Sequence, residues 1–100
     1  MKPHIKIDIK KIVEFCRRWK VDELSLFGSV LRDNFSSESD VDVLVSLAPD
    51  APWSLFEWVD MIEELQEIFK RRVDLVEKTG LRNPFRREEI LKNRQVIYAA

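Results

Sequence analysis

The sequence predicts an α/β (α+β) fold: a small mixed sheet of three or four strands packed with helices. Two observations predict it. Short strand-like runs at 24–27, 40–45 and 72–77 alternate with longer segments whose apolar residues recur at helical spacing. Only two Gly and four Pro interrupt 100 residues that are 45% hydrophobic, a composition that fills a modest core and differs from that of a disordered tail.

Ile9, Ile12, Val13, Cys16 and Trp19 recur at helical spacing behind Asp8, a suitable N-cap, so residues 8–20 read as an amphipathic helix. Val21 and Asp22 lead into Leu24-Ser25-Leu26-Phe27, a strand that ends in a tight turn at Gly28. A helical turn through Val30 and Leu31 precedes the polar loop 33–39. Asp40-Val41-Asp42-Val43-Leu44-Val45 is β-branched and alternates with period two, so it reads as a second strand. After the break at Ala48-Pro49-Asp50-Ala51-Pro52, Leu55, Val59, Ile62, Leu65 and Phe69 form one stripe. Ser54 and Glu57 have capping-box spacing, which gives a helix over 54–71. Arg72-Val73-Asp74-Leu75-Val76-Glu77 is the third strand, followed by a turn at Thr79-Gly80. Asn83 and Pro84 then start a terminal helix expected to run from 84 to 98.

The length predicts a single domain over 1–100. The longest uncharged stretch is the eight residues Leu24 to Leu31, against the roughly 20 apolar residues of a membrane span. The N-terminus lacks the apolar core of a signal peptide, so a cytoplasmic protein is expected, with His4 a surface residue. Cys16 is the only cysteine, which excludes an internal disulfide and a cysteine-based metal knuckle. A net charge of -1 argues against membrane or direct nucleic-acid binding, yet the charge is segregated. Residues 33–69 hold ten Asp or Glu and no Lys or Arg. That segment is either a solvated acidic face or an acidic centre that holds cations, with basic surface beside it.

Asp40 and Asp42 lie two apart on a strand, so their carboxylates share one face while Val41, Val43 and Val45 share the other. Aspartate is depleted in strands, and two such charges 4 Å apart repel by about 4 kcal/mol at an effective dielectric near 20. Solvent at a strand end offsets this in part. A divalent cation converts the repulsion into coordination, and Mg²⁺ favours one or two carboxylates completed by water and phosphate. Asp74 supplies a third carboxylate from a strand able to lie beside the first. Three carboxylates suit a two-metal in-line displacement. Gly28-Ser29, at the end of a strand and the start of a helical turn, offers backbone N–H groups and a hydroxyl to a phosphate.

Gly28-Ser29, ten residues, then Asp40-Val41-Asp42, with Asp74 on a later strand, resembles the GSx10DxD pattern of polymerase-beta-like nucleotidyltransferases. The ending Asn83-Pro84-Phe85-Arg86-Arg87-Glu88-Glu89-Ile90-Leu91 and Val96-Ile97-Tyr98 is similar to that of minimal nucleotidyltransferase (MNT) antitoxins. The resemblance implies the polymerase-beta-like fold, ATP as substrate and two Mg²⁺ ions. It implies that Asp40, Asp42 and Asp74 bind metal and carry catalysis, and that Gly28, Ser29 and Arg32 bind nucleotide. Asp33 stands where the family often has glycine, which adds negative charge near the phosphates. The partner implied is a HEPN-domain ribonuclease toxin, modified with AMP on a tyrosine, in a hetero-oligomer.

Two alternatives stay open: an antitoxin that neutralises by binding alone, and a transferase for a small acceptor held by a separate subunit. Trp53, Phe56 and Trp58 fall outside the helical stripe and are either core or partner surface, whereas Trp19 and Tyr98 read as packing residues.

Overall fold

A computed structural model describes residues 5–32, 35–36 and 38–100. Asp33 and His4 lie outside the described residues. Helix α1 spans Ile9–Arg18, strand β1 Val21–Phe27, β2 Val41–Leu47, helix α2 Leu55–Phe69, β3 Val73–Glu77, α3 Pro84–Lys92 and β4 Gln95–Ala99. Single 3₁₀ turns at Gly28–Leu31 and Lys78–Gly80 join elements. The strands form one mixed sheet in the order β3-β2-β1-β4. β1 is antiparallel to both neighbours, and β2 runs parallel to β3 through α2. No helix among the described residues is long and apolar enough to cross a membrane.

The pleat divides the sheet's side chains between two layers. Leu24, Leu26, Val41, Val43, Val45, Val73 and Leu75 face α1 and α2 and form the main core with Ile12, Phe15, Met61, Leu65 and Phe69. Phe27 and Leu44 lie on the opposite face, under α3, in a smaller cluster with Leu81 and Ile90. Leu24 through Phe27 are therefore all buried, the mark of a central strand covered on both sides. Cys16 belongs to the main core, where burial pushes its thiol up to about 12, so it stays a neutral apolar filler.

The helix starts follow their caps. Asp8 accepts from the Lys11 N–H at 3.2 Å, and Asn83 accepts from Phe85 and Arg86 ahead of Pro84. The Ser54 N–H donates to Glu57 at 2.9 Å, the return arm of the capping box, and bonding from Ser54 holds the Glu57 carboxyl below its usual range.

Three sequence expectations are corrected. The terminal helix does not reach 98; it stops at Lys92, and Val96-Ile97-Tyr98 belong to β4, paired with β1. Asn93 closes the helix by bonding back to Glu89, and the β-branched and aromatic run then satisfies the free edge of β1. In α1, Ile9 is exposed and Phe15 is fully buried, so the stripe is Ile12, Phe15 and Cys16. In α2 the buried stripe is Met61, Leu65 and Phe69, flanked by Trp58 and Ile62, while Leu55 and Val59 face outward.

The aromatic trio divides. The Trp53 indole N–H donates to the Trp19 carbonyl at 2.6 Å and its ring meets Trp19 edge-on at 5.2 Å. Trp58 packs on the core as well, and Phe56 stands free at 84% exposure. Trp19 and Tyr98 are half-buried packing residues, as expected from the sequence.

Candidate active site

Parallel pairing of β2 and β3 puts Asp42 directly opposite Asp74. Paired residues on adjacent strands, about 4.8 Å apart, point to the same face, so the two carboxylates are neighbours on the α3 side of the sheet. On the other flank, Asp42 pairs with Phe27 of β1, the residue before Gly28. The turn leaving β1 is thereby carried onto the Asp42 side chain. Gly28 has φ +73, and a Cβ there would collide with Asp42 Oδ2 and stand 3.2 Å from Cγ. Only glycine meets both demands, the left-handed backbone and the close approach. The Ser29 backbone N–H lies near enough to the Asp42 carboxylate to favour its ionised form.

Asp40 lies one residue before β2, exposed, with its carboxylate on Arg72 Nε at 3.2 Å. The sequence places it within the strand. The structure instead ties it to the residue that precedes β3, whose carbonyl accepts from the Val41 N–H at 2.9 Å. Among the described residues, no three acidic, histidine or cysteine side chains are gathered closely enough to enclose an ion. Asp42 and Asp74 are brought together, and Asp40 is near enough to act on Asp42 by charge while it pairs with Arg72.

The Asp42 carboxyl is raised above its ordinary value of 3.8 by burial first, then by the charges of Asp74 and Asp40; the Ser29 N–H and the Arg86 guanidinium oppose this. Between the ordinary value and the raised one, the folded chain holds more protons than the unfolded chain. Stability therefore falls as pH rises through that window, and ionised Asp42 weakens the fold at neutral pH. Asp42→Asn, which keeps an oxygen for the Ser29 N–H, is expected to melt above the wild type at pH 7 without metal. The gap should close below about pH 4. Thermal melts over pH 3–8 check this; an equal or lower melting temperature for the variant at pH 7 contradicts it.

The donor set fits a magnesium ion in kind: hard carboxylate oxygens on one face, with mutual repulsion that a cation relieves. Completing it requires Asp40 to exchange Arg72 for the ion.

The phosphate seat differs from its expectation in one respect. Gly28–Leu31 is one 3₁₀ turn of four residues, too short to carry much dipole, so its contribution is the local N–H groups and the glycine itself. Arg32 caps that turn, exposed. It borders a cavity of about 370 Å³ beside Gly28, floored by Phe27, Leu31 and Ile90 and rimmed by Arg86 and Glu89. Sequence reasoning missed Arg86. Its signal was available: Arg86 and Arg87 sit in the first turn of α3, where the helix dipole disfavours cations. Arg87 bonds the Lys78 carbonyl at 2.9 Å, and Arg86 lies near enough for its charge to lower the Asp42 carboxyl.

Residues 9–97 match the family model described as the nucleotidyltransferase domain. The chain is 34% identical over 85 residues to the protein adenylyltransferase MntA of Thermococcus cleftensis, covering 85% of this chain and 81% of that protein. Its fold matches a crystallised toxin–antitoxin complex with AMP-PNP at a TM-score of 0.72 and 21% identity, over 94% of this chain and 75% of that one. It also matches the complex of a tri-AMPylated HEPN toxin of Shewanella oneidensis with its MNT antitoxin. There the TM-score is 0.64 and the identity 20%, over 92% and 70% of the two chains.

Proposed function

We propose, from the premise that this chain belongs to the nucleotidyltransferase domain family and is a nucleotidyltransferase, that it moves AMP from ATP onto a tyrosine hydroxyl of a HEPN-domain toxin. By doing so in the cytoplasm, with Mg²⁺, it acts as that toxin's antitoxin. The pairing of Asp42 with Asp74, against the Gly28 turn, is the observation that carries this reading. The relative named protein adenylyltransferase MntA and the likeness in fold to toxin–antitoxin complexes support the acceptor and the partner.

In this reading Gly28 and Ser29 receive the β- and γ-phosphates, and the Ser29 N–H turns from Asp42 to a phosphate oxygen. Arg32 and Arg86, on either side of the cavity, neutralise the triphosphate and hold it in one orientation. Asp40, Asp42 and Asp74 would hold Mg²⁺, which supplies charge stabilisation to the attacking and leaving oxygens. Asp74, exposed on the edge strand β3, is open to the acceptor and helps to deprotonate its hydroxyl. The hydroxyl oxygen then bonds to the α-phosphorus as the bond to pyrophosphate breaks. The proton leaves through Asp74 to solvent, and pyrophosphate departs past Arg32.

The test incubates the chain with Mg²⁺, ATP labelled at the α-phosphate, and the HEPN-domain protein encoded beside it. Label is expected on the HEPN protein, and ATP labelled at the γ-phosphate should leave none. Neutralisation of the toxin without label would replace transfer with binding alone.

A further inference from the structure

The outward face of α2 is not used by the fold. At about 100° per residue, Leu55, Val59, Glu63, Phe56, Glu67 and Asp60 fall within one arc of roughly 140°, opposite the buried stripe of Met61, Leu65 and Phe69. All six are exposed, Leu55 at 75% and Phe56 at 84%. The apolar members occupy the first turns and the acidic members the turns that follow. Two large, adjacent apolar side chains left this open on a helix whose core stripe is already complete are a mark of an interaction surface. The face is also remote from the chemistry. α2 packs against the Val43 and Leu75 side of the sheet, whereas Asp42 and Asp74 lie on the α3 side.

We propose that this face of α2 docks the protein partner, and that the partner lays on it a helix with an apolar anchor followed by lysines or arginines. The inference rests on the reading above that the acceptor is a protein. Charge complementarity selects the occupant: Asp60 and Glu63 stand exposed in a segment, 33–69, that contains no Lys or Arg, and only Glu67, farther along the helix, borders a groove with Lys11 and Arg18, so the complement beside the apolar turns is basic. Nucleic acid and anionic lipid are repelled by the same row. Among the described residues, a second copy of this chain offers a basic, apolar surface around Ile9 of α1, 52% exposed beside Lys10, and most openly at the start of α3, where Phe85 is 84% exposed beside Arg82 and Arg86. The α3 surface adjoins the cavity at Gly28, and a copy bound there would cover the nucleotide site and leave an open-ended, head-to-tail contact. Docking on α2 instead holds the partner while the α3 side stays open to ATP and to the acceptor tyrosine.

Titration calorimetry against the same HEPN-domain protein tests this with the wild type, Phe56→Glu and the charge reversal Glu63→Lys with Glu67→Lys. Each variant is expected to weaken association at least tenfold, with unchanged melting temperature and unchanged affinity for a non-hydrolysable ATP analogue. A milder pair, Leu55→Ala with Phe56→Ala, should weaken association as well, which guards against an effect of the introduced charge alone. Wild-type affinity in all variants overturns the proposal. So does sedimentation in which the wild-type chain alone dimerises and Phe56→Glu is monomeric, because the occupant is then a second copy. Tight association through α2 without AMP transfer would sustain the docking surface and remove the transfer reading. Transfer with undiminished affinity in every variant would do the reverse.

Discussion

Asp42→Asn combined with Asp74→Asn is expected to lower AMP transfer by about a thousandfold, equivalent to roughly 4 kcal/mol of transition-state stabilisation. Either single replacement should cost nearly as much as the pair. The two carboxylates face each other across one β2–β3 rung and act as a unit on the same charge, so their effects are not additive. Stability should move the other way. Removing both negative charges relieves the repulsion that raises the Asp42 carboxyl, so the double variant should melt no lower than the wild type at pH 7. Initial rates of label incorporation, with melts on the same preparations, measure both. Retention of more than a tenth of the activity, or two single effects that multiply to give the double, would contradict a shared site.

Gly28→Ala is expected to damage both fold and site. A side chain at φ +73 adds roughly 1–2 kcal/mol of backbone strain, a fall of about 5–15 °C in melting temperature for a chain of this length. The new methyl also collides with Asp42 Oδ2, and the carboxylate must swing away from its place opposite Asp74. Misplacing a reacting group by about 1 Å costs on the order of a hundredfold in rate. Gly80→Ala is the control. Gly80 has no positive φ and nothing within 4 Å of its would-be Cβ, so the change should stay within about 0.5 kcal/mol. Equal behaviour of the two alanine variants would mean that the Gly28 turn does not depend on its contact with Asp42.

Much of this was legible in the sequence where local chemistry settles the outcome. Asp8, Asn83 and the Ser54–Glu57 pair cap their helices because those side chains satisfy backbone N–H groups wherever the helix is placed. The period-two runs containing Asp42 and Asp74 became adjacent strands, with both carboxylates on one face, because alternation leaves the valines only one side to bury. What escaped depends on distant partners. Val96-Ile97-Tyr98 fits the end of a helix by spacing and becomes β4 only because β1 has a free edge to fill. The expected and observed stripes of α2 share Leu65 and Phe69 and differ in whether Leu55 and Val59 or Met61 completes them. The sheet beneath α2 decides between them. Asp40 was expected to stand beside Asp42 on the strand and instead pairs with Arg72, an ion pair between two chain segments that no spacing within either one reveals. Arg86 is marked in the sequence as a cation in the first turn of α3, but its neighbour Asp42 is not, since α3 meets that side of the sheet only in the folded chain.

The central claim is that the acidic side chains at the ends of β2 and β3 gather a divalent ion beside the Gly28 turn. Nuclear magnetic resonance of the ¹⁵N-labelled chain with a non-hydrolysable ATP analogue and substoichiometric Mn²⁺ in place of Mg²⁺ tests it most directly. The amide signals of Gly28, Ser29, Val41, Asp42, Asp74 and Leu75 are expected to broaden first. Asp42→Asn with Asp74→Asn should abolish that selectivity. Broadening centred instead on Asp60, Glu63 and Glu67 of α2, with the β2–β3 rung untouched, would contradict the account.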